Sequence, residues 1–349
     1  MGAEQTDIFV GDMSRDEVKA FLNGKESGSA GDFWKNYRDK VDRQMERLKQ
    51  GKAKWAKSGS YADHPSGGSI NHQPSKKDAL NFHWSFTNGK LMADKIASFN
   101  LPAGETCEGA RTCMVYCYAV RGLLKFDDNV RPRTFNYYRL LQIHQKHGQK
   151  GVADAFAADM KYIIGKLKWR GIRFHDSGDF FEAWYMDAVI AAAKRLRAAH
   201  KKAWVYAYTK RIDLIHKKGR YPKKNPPVQF NQSDGGKYDD QIDPRFTTVE
   251  IKGQDEVADH VVKKGSKVIL GKRVPIYLWD GKPGHIVCGK FQYRGKDVST
   301  GELAIKGADV IYLPIHGVKS SQLGWLQLAA LVMVPIIAIM AWQKGQANA

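Results

Sequence analysis

An α/β fold is expected, parallel-stranded and resembling part of a TIM barrel, with a C-terminal transmembrane helix. Three observations lead there. Short apolar extended segments alternate with helical ones from Asn81 onward, five of the extended segments stop in polar clusters, and a long uncharged apolar run lies near the C-terminus.

Residues 1–60 read as a basic, polar N-terminal extension. Within it a helix is expected over Asp32–Lys57, where Phe33, Trp34, Tyr37, Val41, Met45 and Leu48 approximate one apolar face. Residues 61–80 form a linker, because the stretch Ser58–Lys77 is dense in Gly, Ser, His, Asn and Pro. The main domain spans 81–319. It begins with a strand at Ile96–Leu101, helices near Val130–Lys146 and Val152–Lys168, a strand at Ile172–His175 and a helix near Phe181–Ala199. Further strands are expected at Trp204–Tyr208, Val228–Asn231, Pro275–Trp279 and Val310–Pro314, while Asp239–Lys272 shows no clear helical crossover.

The polar strand ends are His175-Asp176-Ser177-Gly178-Asp179, Thr209-Lys210, Asn231 to Gly236 with Asp234, Asp280-Gly281, and His316-Gly317. Ligands of barrels and parallel sheets bind at the carboxyl ends of strands, so one site there can collect these clusters; turn residues at strand ends are the competing explanation. Asp176 and Asp179 also suit capping of the following helix.

Residues 323–342 are long and apolar enough to span a bilayer, with Trp325 and Trp342 at the two interfaces. This tail anchor would leave the basic body on the cytoplasmic side of a membrane. Lys and Arg outnumber Asp and Glu 56 to 36, a formal charge of +20, which calls for an anionic partner such as nucleic acid or lipid head groups. No secretory signal is visible at the N-terminus.

Three of the 4 cysteines fall within one short loop, Cys107-x5-Cys113-x3-Cys117, directly after the first expected strand. Such clustering suits a metal more than a disulfide framework. Soft thiolates favour an iron–sulfur cluster, 4Fe–4S in type, with zinc as the alternative metal. Three ligands would leave one iron of a cluster open to a substrate or cofactor.

The segments Ser98–Cys107, Cys117-Tyr118-Ala119, Arg173–Asp179, Tyr206–Lys210 and Val310–Gly317 resemble the ordered motifs of the phage gene product 88 domain family, over most of Asn88–Lys319. That resemblance implies a phage origin. The family pattern carries further cysteines in its C-terminal third, where this chain has only Cys288, so no second metal site is expected there.

A weaker resemblance is to radical S-adenosylmethionine enzymes, in which three cysteines follow the first barrel strand and an aromatic residue adjoins the last of them, as Tyr116 and Tyr118 do. The spacing departs from the usual Cys-x3-Cys-x2-Cys. It implies S-adenosylmethionine as cofactor and one-electron chemistry. On that likeness His175, Ser177, Gly178, Asp179 and Tyr118 would contact the cofactor, Asp176 or Asp179 would take its ammonium, and Lys210, Asp234 and His316 would line the substrate side. The competing expectation is a non-catalytic phage structural or interaction protein, its loop stapled by a structural metal, docking on membrane or nucleic acid.

Overall fold

The computed structural model describes residues 30–52, 80–86, 89–111, 113, 117, 119, 127–216 and 226–314. Most of the expected linker, Tyr116, Tyr118, His316 and the apolar run 323–342 lie outside them. Among the described residues no helix is long and apolar enough to cross a membrane.

Helix α1 (Ala30–Lys49) stops earlier than its residue pattern predicts. Gly51 takes a left-handed φ of 65°, its N–H bonds the Leu48 carbonyl at 3.0 Å, and the Lys52 N–H reaches the Arg47 carbonyl at 2.9 Å. This paired closure satisfies the last carbonyls and turns the chain away. The helix is held on the body: Tyr37 and Val41 are buried with Ala103 and Val130, and Leu48 with Phe135.

The main sheet contains β1 (Trp84–Ser85), β2 (Ile96–Phe99), β3 (Gly171–Phe174), β4 (Trp204–Thr209), β5 (Gln229–Ser233), β6 (Thr248–Lys252), β7 (Val261–Ile269), β8 (Lys272–Trp279), β9 (His285–Val287) and β12 (Val310–Pro314). A separate hairpin pairs β10 (Lys290–Tyr293) with β11 (Lys296–Ser299). Strand order is β1-β2-β3-β4-β5-β6-β12-β9-β8-β7. Neighbours from β2 through β9 are parallel, and the flanking pairs β1/β2, β8/β9 and β7/β8 are antiparallel. Strands β2 to β6 follow chain order without the reversal of a doubly wound sheet, so their carboxyl ends share one edge.

Alternation divides the sheet's two faces. Phe99, Ile172, Phe174, Val205, Ala207 and Phe230 pack beneath α3 (Asp127–Gly165) and α4 (Ala183–Ala199). Gly148, at φ 64° and ψ −170°, breaks α3 into the two helical arms that the sequence pattern implies. The opposite face is concave: Ile96 and Trp204 from one end of the strand order join a single apolar cluster with Ile269, Val274 and Leu278 from the other. Arg170 Nη1 donates to the Leu270 carbonyl at 2.8 Å and Lys272 Nζ pairs with Asp94 at 2.5 Å, closing the curl by side chains rather than strand pairing.

The segment Pro275–Trp279, expected among the parallel strands, is corrected by the structure. It belongs to β8, which runs antiparallel to β9, so Asp280-Gly281 lies at the edge opposite the other polar strand ends. The cause is the two-residue turn Leu270-Gly271, both with positive φ, which folds β8 back on β7. The region 239–272 has no long crossover helix: it holds a 3-10 turn at Asp239–Gln241, then β6, the short α6 (Gln254–His260) and β7; the remaining short helices are α2 (Gly89–Asp94) and α5 (Ile212–Ile215).

Asp159 on α3 fastens the start of the described body. Its carboxylate accepts from Asn81 N at 2.8 Å, Asn81 Nδ2 at 2.9 Å, Phe82 N at 3.0 Å and Trp84 Nε1 at 2.9 Å. Asp159→Asn sets an NH2 group against some of these donors and should cost about 2–3 kcal/mol in urea unfolding followed by tryptophan fluorescence. An unchanged midpoint would mean that packing alone holds residues 80–86.

Candidate cofactor site at the carboxyl ends of the strands

The turns after β2 and β3 are stitched together. Asn100 Oδ1 accepts from Asp176 N at 2.6 Å and Ser177 N at 3.3 Å, the Leu101 N–H bonds the Ser177 carbonyl at 3.0 Å, and Ser177 Oγ donates to the Leu101 carbonyl at 2.9 Å. Gly178 has φ 80°, and a Cβ there would stand 2.6 Å from both Leu101 Cβ and Thr106 Oγ1. Ser177 and Gly178 thus face neighbouring chain, and their small size is explained by that packing.

Asp179 joins this corner to β4. Its Oδ1 accepts from Thr209 Oγ1 at 2.6 Å and Phe180 N at 2.7 Å, and its Oδ2 from Lys210 N at 2.8 Å. Burial raises its pKa while these donors oppose the rise. It does not cap α4, whose N-cap residue is Glu182. Asp176 points to the concave face, accepting from Ser98 Oγ at 2.7 Å and pairing with Arg173 at 3.0 Å. His175 turns the other way: Nε2 shares a 2.8 Å hydrogen bond with the Tyr185 hydroxyl, and the ring packs edge-on to Phe180. Burial, with the Arg173 charge, lowers its pKa to about 3, so it is neutral.

The cysteine loop lies across the next two strand ends. Arg111 N and Cys113 N both bond the Gly235 carbonyl, at 3.2 and 3.1 Å, and Lys237 N bonds the Gly109 carbonyl at 2.8 Å. Ala110 and Gly236 form an isolated β-bridge. A Cβ on Gly109 would meet the Lys210 carbonyl oxygen at 2.7 Å, so only glycine allows this approach. Asp239 fixes the receiving turn, its two oxygens accepting from Gly235 N and Gly236 N at 2.9 Å each.

Lys210 lies beneath the loop and donates from Nζ to Ser233 Oγ at 3.0 Å. Burial would lower its pKa, but Cys113, Asp234, Asp179 and Asp239 raise it, so the ammonium is retained. Asp234 accepts from Ile251 N at 3.2 Å through one oxygen, and its other oxygen, Oδ1, is buried with no hydrogen-bond partner. Burial lifts its pKa to about 6 despite Lys210.

Burial also pushes up the Cys107 thiol, reinforced by Asp179, Cys117 and Cys113. For Cys113 burial raises the thiol and Lys210 opposes it. Cys117 packs beside Tyr37 and Val130, where Tyr37 Oη accepts from Ala103 N at 3.1 Å, so α1 walls one side of the loop. Sequence pattern gave no sign of that wall. The charges of Cys113 and Cys117 act on the Cys107 thiol, yet among the described residues no three Cys, His, Asp or Glu side chains are gathered closely enough to hold a metal ion. By type, three thiols and a nearby ammonium suit an anionic, thiophilic centre. Cys288 stands apart, packed with Ile286 and Leu303.

Sequence reasoning missed the polar cluster on the concave face. Arg173 Nη1 bonds Glu302 at 3.1 Å, its guanidinium lies 4.6 Å over the Tyr208 ring, and Tyr206 and Tyr208 both donate to Glu302 at 3.2 Å. Arg173 Nε and Asn231 Nδ2 are buried without partners. The available signal was polar residues at alternate strand positions, with Ser98, Arg173, Tyr206 and Gln229 aligned across four strands.

Because the folded pKa of Asp234 exceeds its unfolded value of 3.8, its contribution to stability is complete below that value and is lost as pH rises through about 6. Asp234→Asn should therefore flatten the fall in unfolding free energy between pH 4 and pH 7 by up to about 3 kcal/mol. Urea titrations at four pH values check this; parallel profiles for both proteins would refute it.

A family model described as gene product 88 matches residues 67–273, more than half of the chain. No curated protein and no solved structure matches it.

Proposed function

The chain belongs to the gene product 88 family, and on that footing we propose that it is a cofactor-dependent phage enzyme with its active site at the carboxyl edge of the curled sheet. The observation that carries the reading is the cysteine loop bonded to Gly235 and Gly236 directly above Lys210, at the ends of parallel strands wound in chain order. Cys107, Cys113 and Cys117 would hold an iron–sulfur cluster, whose separate irons need the thiols less close together than a single metal ion does. Such a cluster, with an iron left open for S-adenosylmethionine, would supply electrons for one-electron chemistry.

The chain's own residues take the remaining roles. Lys210, its ammonium kept by Cys113 and the surrounding acids, would balance the negative charge of cluster-bound thiolates. Asp176 and Asp179 have both oxygens engaged within the chain. The ammonium of a bound cofactor therefore falls to the unpartnered Oδ1 of Asp234. Substrate would enter the concave face, where Arg173 Nε and Asn231 Nδ2 offer donors beside the Tyr208 ring. Residues 323–342 would tether the enzyme to a membrane, with the domain on the cytoplasmic side of the infected host.

Protein reconstituted with iron and sulfide without oxygen should hold about four of each per chain, show the visible sulfur-to-iron charge-transfer absorption of a cluster, and cleave S-adenosylmethionine on reduction. A Cys107/Cys113/Cys117→Ala variant should lose all three properties. Stoichiometric zinc without sulfide in the wild type would instead support a structural role for the loop. For the tether, truncation after Lys319 should move the protein from the membrane pellet to the supernatant; retention in the pellet would refute a role for 323–342.

A further inference from the structure

Strand β7, paired with the largely buried β8, is an exposed outer edge of the sheet. Seven consecutive residues, Val262–Val268, are exposed on both faces of β7, which is the last strand of the sheet. Such a stretch extends roughly 20 Å. The β7–β8 turn is fastened to the body by Lys272, ion-paired with the buried Asp94 at 2.5 Å, and by the Arg170 bond to the Leu270 carbonyl. A bulge between Lys263 and Ser266, with Gly265 at φ 95°, splays the neighbouring lysines.

Its charge is one-sided. Residues 261–299 hold nine Lys and Arg against two acids, Asp280 and Asp297. Lys263, Lys264 and Lys267 form no ion pair among the described residues, and Arg273 only bonds Ser266 Oγ at 3.2 Å. The adjoining β10–β11 hairpin adds the exposed Lys290, Arg294 and Lys296. Lysines on an edge strand guard against unwanted strand pairing, but that role does not account for the further positive charges of the adjoining hairpin. Here the excess is spread over the strand and the adjoining hairpin, and of these cations Lys272 is paired with a carboxylate of the body.

We propose that this lobe is a duplex nucleic-acid docking surface, with the exposed edge strand β7 laid against the duplex and Lys263, Lys264, Lys267 and Arg273 contacting its phosphates. The large hydrophobics exposed among the described residues are Met92, Val262 and Val268, none aromatic. Stacking on single-stranded bases and interfacial insertion into lipid both depend chiefly on exposed aromatic side chains, so duplex is favoured over either.

Fluorescence anisotropy with a labelled 20-base-pair DNA duplex, titrated with the full chain over a range of salt, tests the proposal. Affinity should fall steeply with salt, and Lys263/Lys264/Lys267→Gln should weaken binding at least tenfold and reduce the salt slope by about 2–3, near one unit per lost phosphate contact. A matching Lys35/Arg43/Lys49→Gln variant on α1, of equal charge change, should stay within about twofold of wild type. Thermal unfolding confirms that both variants are folded. No duplex binding, equal loss in both variants, stronger binding to the single strand, or binding of the truncated chain 1–319 to phosphatidylserine vesicles but not to duplex would overturn it.

Discussion

Gly109 has no room for a side chain, because the Lys210 carbonyl oxygen occupies the space a Cβ would need. That close approach lets the loop of Cys107 and Cys113 lie flat on the ends of β4 and β5 and exchange backbone hydrogen bonds with the Gly235-Gly236 turn. The turn is itself fixed by Asp239, and the strand beneath by Asp179. Removing any one of these contacts would let the thiols drift from the acids and the lysine that set their charge. The position of the cysteine loop thus depends on glycines and carboxylates scattered over more than a hundred residues of sequence.

The same arrangement explains how a lysine is kept charged out of water. Lys210 sits among Cys113, Asp234, Asp179 and Asp239, and their combined field outweighs the cost of burial. In return the ammonium holds the Cys113 thiol and Asp234 below where burial alone would put them. Positive and negative groups are buried together and each makes the other tolerable. A bound anionic centre would enter a site that already offers it a counter-charge.

Much of this frame was legible in the sequence. Continuous apolar runs ending in polar clusters located β3, β4, β5 and β12, the apolar run before the cysteine loop located β2, and the helical period located α4 and both arms of α3. The cysteine spacing marked the loop. What escaped detection had long-range causes. Glu302, on a 3-10 turn, meets Arg173 across 129 residues, and α1 closes the loop through Tyr37, a contact across 66 residues. Leu270 in a left-handed conformation is not a turn signal that residue type reveals, so the β7–β8 hairpin was hidden and one strand direction was misread. The packing of Asp176, Ser177 and Gly178 was hidden for the same reason: their partners Ser98 and Leu101 lie more than seventy residues away.

The most direct measurement is anomalous diffraction at the iron edge from crystals of protein reconstituted without oxygen. The account expects one iron centre per chain, ligated by Cys107, Cys113 and Cys117 and lying over Lys210, with Asp234 on its open side. Iron bound at Cys288, or a crystal with full iron content and no density at the three-cysteine loop, would contradict it.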